Sequence, residues 1–359
     1  MKLIKMELLD ETLKKIRPVN RIAEQECEEY MKRLLKIPGS LGKLELIAAQ
    51  IAGITGKIKG NECKKRVIIA MCADNGIYEE GVSSSPLEIT PYLTGAMANG
   101  TGGMSTMASE AGADTMIVDI GLNGEDYPGT VNRKVANGTK NSTKGPAMTR
   151  EECVQAIETG IAIVKEKKAE GYQLLGTGEL GMGNTATSAA VTAVLLGLSA
   201  KETTGMGSGL TKEQYRIKTE AIEKSIRVNK PDKEDGIDVL AKVGGLDIAG
   251  LTGIYLGAAA ERLPVVIDGY ISATAALAAV RIAKDSRDYM IASHISEEEG
   301  YRRISEELEL KPFLDLNMRL GEGSGCPLAF HVIDCALAMV NHMVKHPMYQ
   351  EKKELLFEL

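Results

Sequence analysis

KKRVIIAMCADNG, residues 64–76, decides the fold. After two lysines and an arginine come Val67 to Cys72, apolar on both faces of a strand, and the run ends in the loop residues Ala73-Asp74-Asn75-Gly76. A half-exposed strand alternates apolar and polar positions; continuous apolarity belongs to a parallel sheet covered on both sides. Four more runs repeat the pattern: Thr115–Ile120, Tyr172–Leu175, Pro264–Ile267 and Tyr289–Ala292. Each leads through a Gly, Asp or Ser loop into a helical pattern. This alternation predicts an α/β fold, a parallel sheet with helices on both faces in the Rossmann-like manner.

The ends of the chain read differently. Residues 10–36 are predicted helical up to a break at Pro38-Gly39, and a second helix runs to about residue 56. Thr149 with Glu152 and Thr211 with Gln214 form capping boxes that start two more helices, the first ending near Lys168. The last helix is expected from Pro327 to about His346, with Leu328, Val332, Ala336 and Val340 on its core stripe and His331 inside. A large α/β domain over 60–320 is therefore expected, with a smaller helical domain built from 1–59 and 321–359.

Composition narrows the function. The 359 residues carry a net charge of -6, no Trp and three Phe, which disfavours nucleic acid as a partner. No run of about 18 apolar residues is present, so no membrane span is expected. Six scattered cysteines without a C-x-x-C pair fit a reducing cytoplasm better than a disulfide framework or a zinc site. His342 and His346 lie four apart but lack the glutamate of a zinc-protease helix, and no metal is expected.

Ligands of open parallel sheets sit beyond the carboxyl ends of the strands, so the loops there carry the candidates. GTGELGMGNTAT, residues 176–187, fits G-x-G-x-x-G through Gly176, Gly178 and Gly181. The ribose-binding acid expected about 20 residues later is missing, which counts against a dinucleotide-dependent oxidoreductase. No lysine precedes Thr185, so a nucleotide-triphosphate loop fails too. What remains is a glycine turn with Asn184 and Thr185 at the start of a helix, suited to an anion. Glu179 is out of place beside a phosphate and calls for a chemical reason. A second glycine turn, TGMGSG over 204–209, opens a helix offering Arg216 and Lys218 as cations for the same phosphate. In RLGEGSGC, residues 319–326, Glu322 stands between two glycines before the last helix and is a candidate general base. His294 follows the last strand, where a functional role is open.

Eight stretches in this order, PGSLGKLE, ADNGIYEEGVS, GELGMGNTATSAA, GSGL, GGLDIAGLTG, VVIDGYISATAAL, SHISEEEGY and RLGEGSG, resemble the nicotinate-nucleotide–dimethylbenzimidazole phosphoribosyltransferases of cobamide synthesis over nearly the whole chain. The resemblance implies transfer of phosphoribose from nicotinate mononucleotide to an aromatic base. Inversion at the anomeric carbon gives an α-riboside phosphate and nicotinate, without metal or cofactor. It makes Glu322 the general base and Glu179 a second catalytic carboxylate near the ribose. Gly178, Gly181, Gly183 and Asn184 would hold the mononucleotide with Ser293 nearby. Lys218, Asp247 and Asp268 are further substrate-binding positions.

Two departures bear on the acceptor. Asn75 stands where many relatives have histidine, and Leu93 where some carry an amide. A pocket lined by Ser85 and Leu93 offers few polar contacts to a benzimidazole, so phenol or para-cresol is an alternative acceptor. Relatives using those work as paired, unlike subunits; a homodimer or such a heterodimer is the expected assembly.

Overall fold

The computed structural model describes residues 7–124, 127–205 and 209–349. Its centre is the opening stretch: β1, Arg66–Ala73, is buried at all eight positions. Beside it lie β2 (Asp114–Gly121) and, beyond that, a two-residue edge strand β3 (Val131–Asn132) that the sequence did not reveal. On its other side follow β4 (Leu174–Leu180), β5 (Val265–Ile267) and β6 (Met290–Ala292). Every pairing is parallel, and the order is β3-β2-β1-β4-β5-β6. The expected fold class is what the chain adopts. β4 is longer than predicted and runs on through Gly176, Gly178 and Glu179 to Leu180.

Pleating sends alternate side chains of β1 into two cores. Val67, Ile69, Met71 and Ala73 enter one; Ile68, Ala70 and Cys72 enter the other. The helices that supply both layers are, along the chain, α1 (Glu7–Lys15), α2 (Arg21–Met31), α3 (Lys43–Thr55), α4 (Thr90–Ala98) and α5 (Gly103–Glu110). Then come α6 (Arg150–Ala169), α7 (Asn184–Leu196), α8 (Ala200–Thr203), α9 (Lys212–Asn229) and α10 (Gly236–Val243). The series ends with α11 (Leu246–Ala260), α12 (Tyr270–Ile282), α13 (Glu299–Glu307) and α14 (Gly325–His342). The first core takes Ile157 and Ile161 of α6, Ala190 of α7, Ile254 of α11 and Ala276 of α12. The second takes Met31 of α2, Ile51 of α3, Met104 of α5 and Phe330 of α14. The terminal helices α2, α3 and α14 thus pack together, with α1 on the opposite face.

The predicted helix over 10–36 is in fact two, because Pro18 has no N–H to continue α1. Asn20 restarts the chain by accepting the Ala23 N–H at 3.1 Å. Both capping boxes form as predicted: Glu152 N–H donates to Thr149 Oγ1 at 3.1 Å and Gln214 N–H to Thr211 Oγ1 at 3.2 Å. α14 stops at His342, and its buried stripe is Cys326, Ala329, Phe330, Ile333, Ala336 and Val340. Leu328 and Val332 are half-buried and His331 is exposed, so the stripe is turned from the expected one. α11 is buried along nearly its whole length and crosses α6 through glycines. A Cβ on Gly160 or Gly253 would collide with the other helix's backbone, which accounts for the last glycine of GGLDIAGLTG. No helix among the described residues is long and apolar enough to cross a membrane.

Candidate active site

Beyond the carboxyl ends of the strands, where the chain leaves β1 one way and β4 the other, lies a cavity of about 360 Å³. This is the place an open parallel sheet provides for a ligand. Of the sequence candidates, Glu179, Glu322, Ser85, Leu93, Gly181, Gly183, Asn184, Lys218 and Asp268 line it. Gly178, Asp247 and Ser293 stand behind that lining.

The structure corrects the reading of GTGELGMGNTAT. Gly176 and Gly178 are strand residues, not parts of a phosphate turn. A Cβ on Gly176 would stand 2.9 Å from Cys326 Cβ, and one on Gly178 would collide with the Glu322 carbonyl. These glycines let the start of α14 and the loop before it lie on β4, with Gly178 directly beneath Glu322. The turn is only Gly181-Met182-Gly183, with Gly183 in the left-handed conformation at φ 89° as the N-cap of α7.

Glu179 joins two segments. Its Oε1 accepts the backbone N–H of Glu322 at 3.2 Å, and its Oε2 accepts the side-chain amide of Asn184. A Cβ on Gly321 would stand 2.5 Å from that Oε1. Gly321, Glu322 and Gly323 have φ of 81°, 62° and 101°, three left-handed residues in succession. Glycine adopts this freely; glutamate does so at a cost that surrounding contacts must offset. Here they do: Glu322 Oε2 accepts the Met104 N–H at the start of α5 at 3.3 Å, a position favourable to an anion.

Asp268 fixes the same loop from below, accepting the N–H of Gly323 at 3.0 Å and of Gly325 at 2.6 Å. Ser293 donates to the Asp268 carbonyl at 3.1 Å and pairs with His294 Nδ1 at 2.9 Å, which places it as a brace. Asp247, fully buried, faces the amides of Asn184 and Asn75. Asn75 therefore lies beneath the floor, against Gly181 and Gly245.

Burial dominates the ionisation of this group. Glu179 is pushed up to about 8 by burial and by the neighbouring Asp247 and Asp268, against the pull of Asn184 and the Glu322 N–H. Burial raises Asp268 to about 7 and Asp247 to about 6, opposed by backbone N–H groups at both. Burial lowers His294 to about 4, so it is neutral at pH 7.

At the other end of the cavity sits a cation. Lys218, 1% exposed, donates to Thr185 Oγ1 at 2.9 Å and to the Gly205 carbonyl at 3.5 Å. Burial lowers it to about 8, opposed by Glu298. Arg216 turns the other way, into solvent, and pairs with Glu213 and Glu220. The two cations offered by the sequence are thus distinguished. Of the turn between Thr204 and Gly209, residues 206–208 lie outside the described residues. Ser85 and Leu93, both half-buried, border the remaining wall with Ile89. Glu298, Arg319 and Tyr270 also line the cavity and were not singled out from sequence. Glu298 is the middle of three glutamates, and nothing in their spacing marks it.

The arrangement can seat an anion at Lys218 and the start of α7, a flat apolar group near Leu93, and a reacting centre between them under two carboxyl groups. The cysteines contribute nothing covalent: all six are unpaired, with Cys335 alone exposed.

Residues 16–347 match a family profile described as phosphoribosyltransferase. A curated nicotinate-nucleotide–dimethylbenzimidazole phosphoribosyltransferase of Clostridium tetani is 50% identical over 339 residues, covering 94% of this chain and 93% of its own. The enzyme of that name from Ruminiclostridium cellulolyticum is 50% identical over 335 residues, covering 93% and 95%. Among solved structures, the enzyme of that name from Thermus thermophilus superposes with a TM-score of 0.85 at 36% identity, covering 90% of this chain and 96% of its own.

Proposed function

The chain belongs to the nicotinate-nucleotide–dimethylbenzimidazole phosphoribosyltransferase family, and on that premise we propose how its cavity carries out the transfer. The donor is nicotinate mononucleotide and the acceptor 5,6-dimethylbenzimidazole or a similar aromatic base. The products are an α-riboside 5'-phosphate, for the lower ligand of a cobamide, and nicotinate. Phenol or para-cresol as acceptor gains no support from relatives named for dimethylbenzimidazole.

The donor phosphate lies against Lys218, Thr185 and the start of α7, with Gly181 and Gly183 allowing its approach. The ribose C1' then faces Glu179 and Glu322, and the acceptor ring rests near Ser85 and Leu93. The C1'–N bond breaks with its electron pair remaining on the nicotinate nitrogen. The unprotonated ring nitrogen of the acceptor closes the new bond from the opposite face, and the proton carried by the other ring nitrogen passes to Glu322. Positioned general bases contribute about 10²- to 10⁴-fold. Glu179 is mostly the neutral acid at pH 7; positive charge developing on the ribose favours its ionised form. Asp268, Ser293 and Asp247 hold these groups from behind.

One observation carries the assignment: Glu179 and Glu322 are tied through a 3.2 Å hydrogen bond within the cavity that also holds Lys218. Glu322→Gln tests it, with nicotinate release followed with and without 5,6-dimethylbenzimidazole. Turnover should fall by about 10²-fold or more while mononucleotide affinity holds; undiminished turnover refutes the base. The same proposal includes a cytoplasmic setting, a two-part organisation at 60–320 against 1–59 with 321–359, and a dimer, like or unlike. Sedimentation of the purified chain tests the last.

A further inference from the structure

Glu298 lines the Lys218 end of the cavity and belongs to no step of the transfer described above. It is the residue before α13, with its neighbours Glu297 and Glu299 exposed while it is drawn inward. Its Oε2 is buried without a hydrogen-bond partner. That oxygen abuts Gly205 so closely that a Cβ there would collide with it. The carbonyl of Gly205 accepts from Lys218 Nζ, so the carboxylate and the ammonium meet at one glycine. A buried carboxylate with an unused oxygen is costly unless a nearby charge offsets it.

We propose that Glu298 is a positioning residue for the donor phosphate, acting through Lys218: it keeps the buried lysine an ammonium and aimed at the cavity. This role rests on the assignment of Lys218 to the phosphate. Burial alone works against a charged Lys218, and Glu298 is the group whose charge supports it. Conversely, Lys218 and then Arg319 draw Glu298 toward its ionised form against burial. Tyr270 of α12 also feels the Glu298 charge, while Arg303 of α13 lies 4.0 Å from Glu202 of α8. Asp268 and His294 line the same cavity farther along. A phosphate entering here meets a cation already charged at neutral pH.

Glu298→Gln keeps the side chain's size and removes the charge. Affinity for nicotinate mononucleotide is measured by calorimetry from pH 6 to 10, and the Lys218 ammonium is titrated directly by NMR without ligand. The alkaline break in affinity should fall by roughly one pH unit, so that between the two breaks binding is up to about tenfold weaker. The NMR titration should fall with it. In a Lys218→Arg background, which leaves Glu179 and Asp268 titrating but removes the lysine, Glu298→Gln should move no break. An unmoved Lys218 titration, or an equal shift in the arginine background, overturns the proposal. A parent that titrates as described yet binds no mononucleotide overturns the donor assignment and, with it, the phosphate-positioning role.

Discussion

Replacing Glu179 by glutamine is expected to stabilise the protein at alkaline pH, by an amount that grows with pH. The carboxyl group is raised from 4.5 to about 8 and is 6% exposed. Because its folded value exceeds its unfolded one, the native state holds a proton that the unfolded chain has released, and stability falls as pH rises from about 4.5 to about 8. The full gap corresponds to about 5 kcal/mol, part of which is shared with Asp247 and Asp268. Glutamine has the same shape and no charge. Its oxygen can accept the Glu322 N–H, while its amide group faces Asn184, whose own amide turns over to present oxygen. At pH 5 parent and variant should therefore unfold within about 1 kcal/mol of each other. At pH 9 the variant should be ahead by about 2–5 kcal/mol, with its phosphoribosyl transfer impaired. Urea unfolding at several pH values provides the measurement. Parallel stability curves from pH 5 to 9 would refute the reasoning, since they would mean that Glu179 ionises in the fold as it does in solution.

Further outcomes follow from other contacts. Lys218→Met should raise KM for the mononucleotide by about 10- to 100-fold, as loss of a charged hydrogen-bond donor does, whereas Arg216→Met should change it less than about twofold; steady-state kinetics on both compares them. Gly160→Ala should cost at least about 1–3 kcal/mol by prising α6 from α11, read as a fall in the urea midpoint without change in slope.

The sheet was legible because its strands are buried on both faces, and such burial writes continuous runs of Val, Ile and Met. β3 left no trace because two residues cannot carry a period. The end of β4 was misread for a subtler reason: glycine marks a turn and glycine marks a close approach, and the letters are the same. Only the position of the Gly321–Gly323 loop over Gly178 tells them apart. Arg216 and Lys218, two apart, fall on different sides of α9, but from sequence either side could have faced the site. The resemblance brought Asp268 and Ser293 to the site as binding positions; the structure gives both a part in holding the loop and its neighbours. Glu298 went unseen because its burial is set by Gly205, nearly a hundred positions away.

The loop over 321–325 is pinned by Asp268, by Glu179 and by the start of α5, all reaching it from distant parts of the chain. The backbone of Ser85, by contrast, is held by near neighbours in sequence, Ser83 and Tyr78. For anyone wishing to retarget the enzyme this divides the cavity into fixed and variable parts. Libraries for new aromatic acceptors belong at Ser83–Ser85, Ile89 and Leu93, where a change alters one wall. At 320–325 a single substitution would detune several acids at once, and selection there would return loss of turnover in place of altered preference.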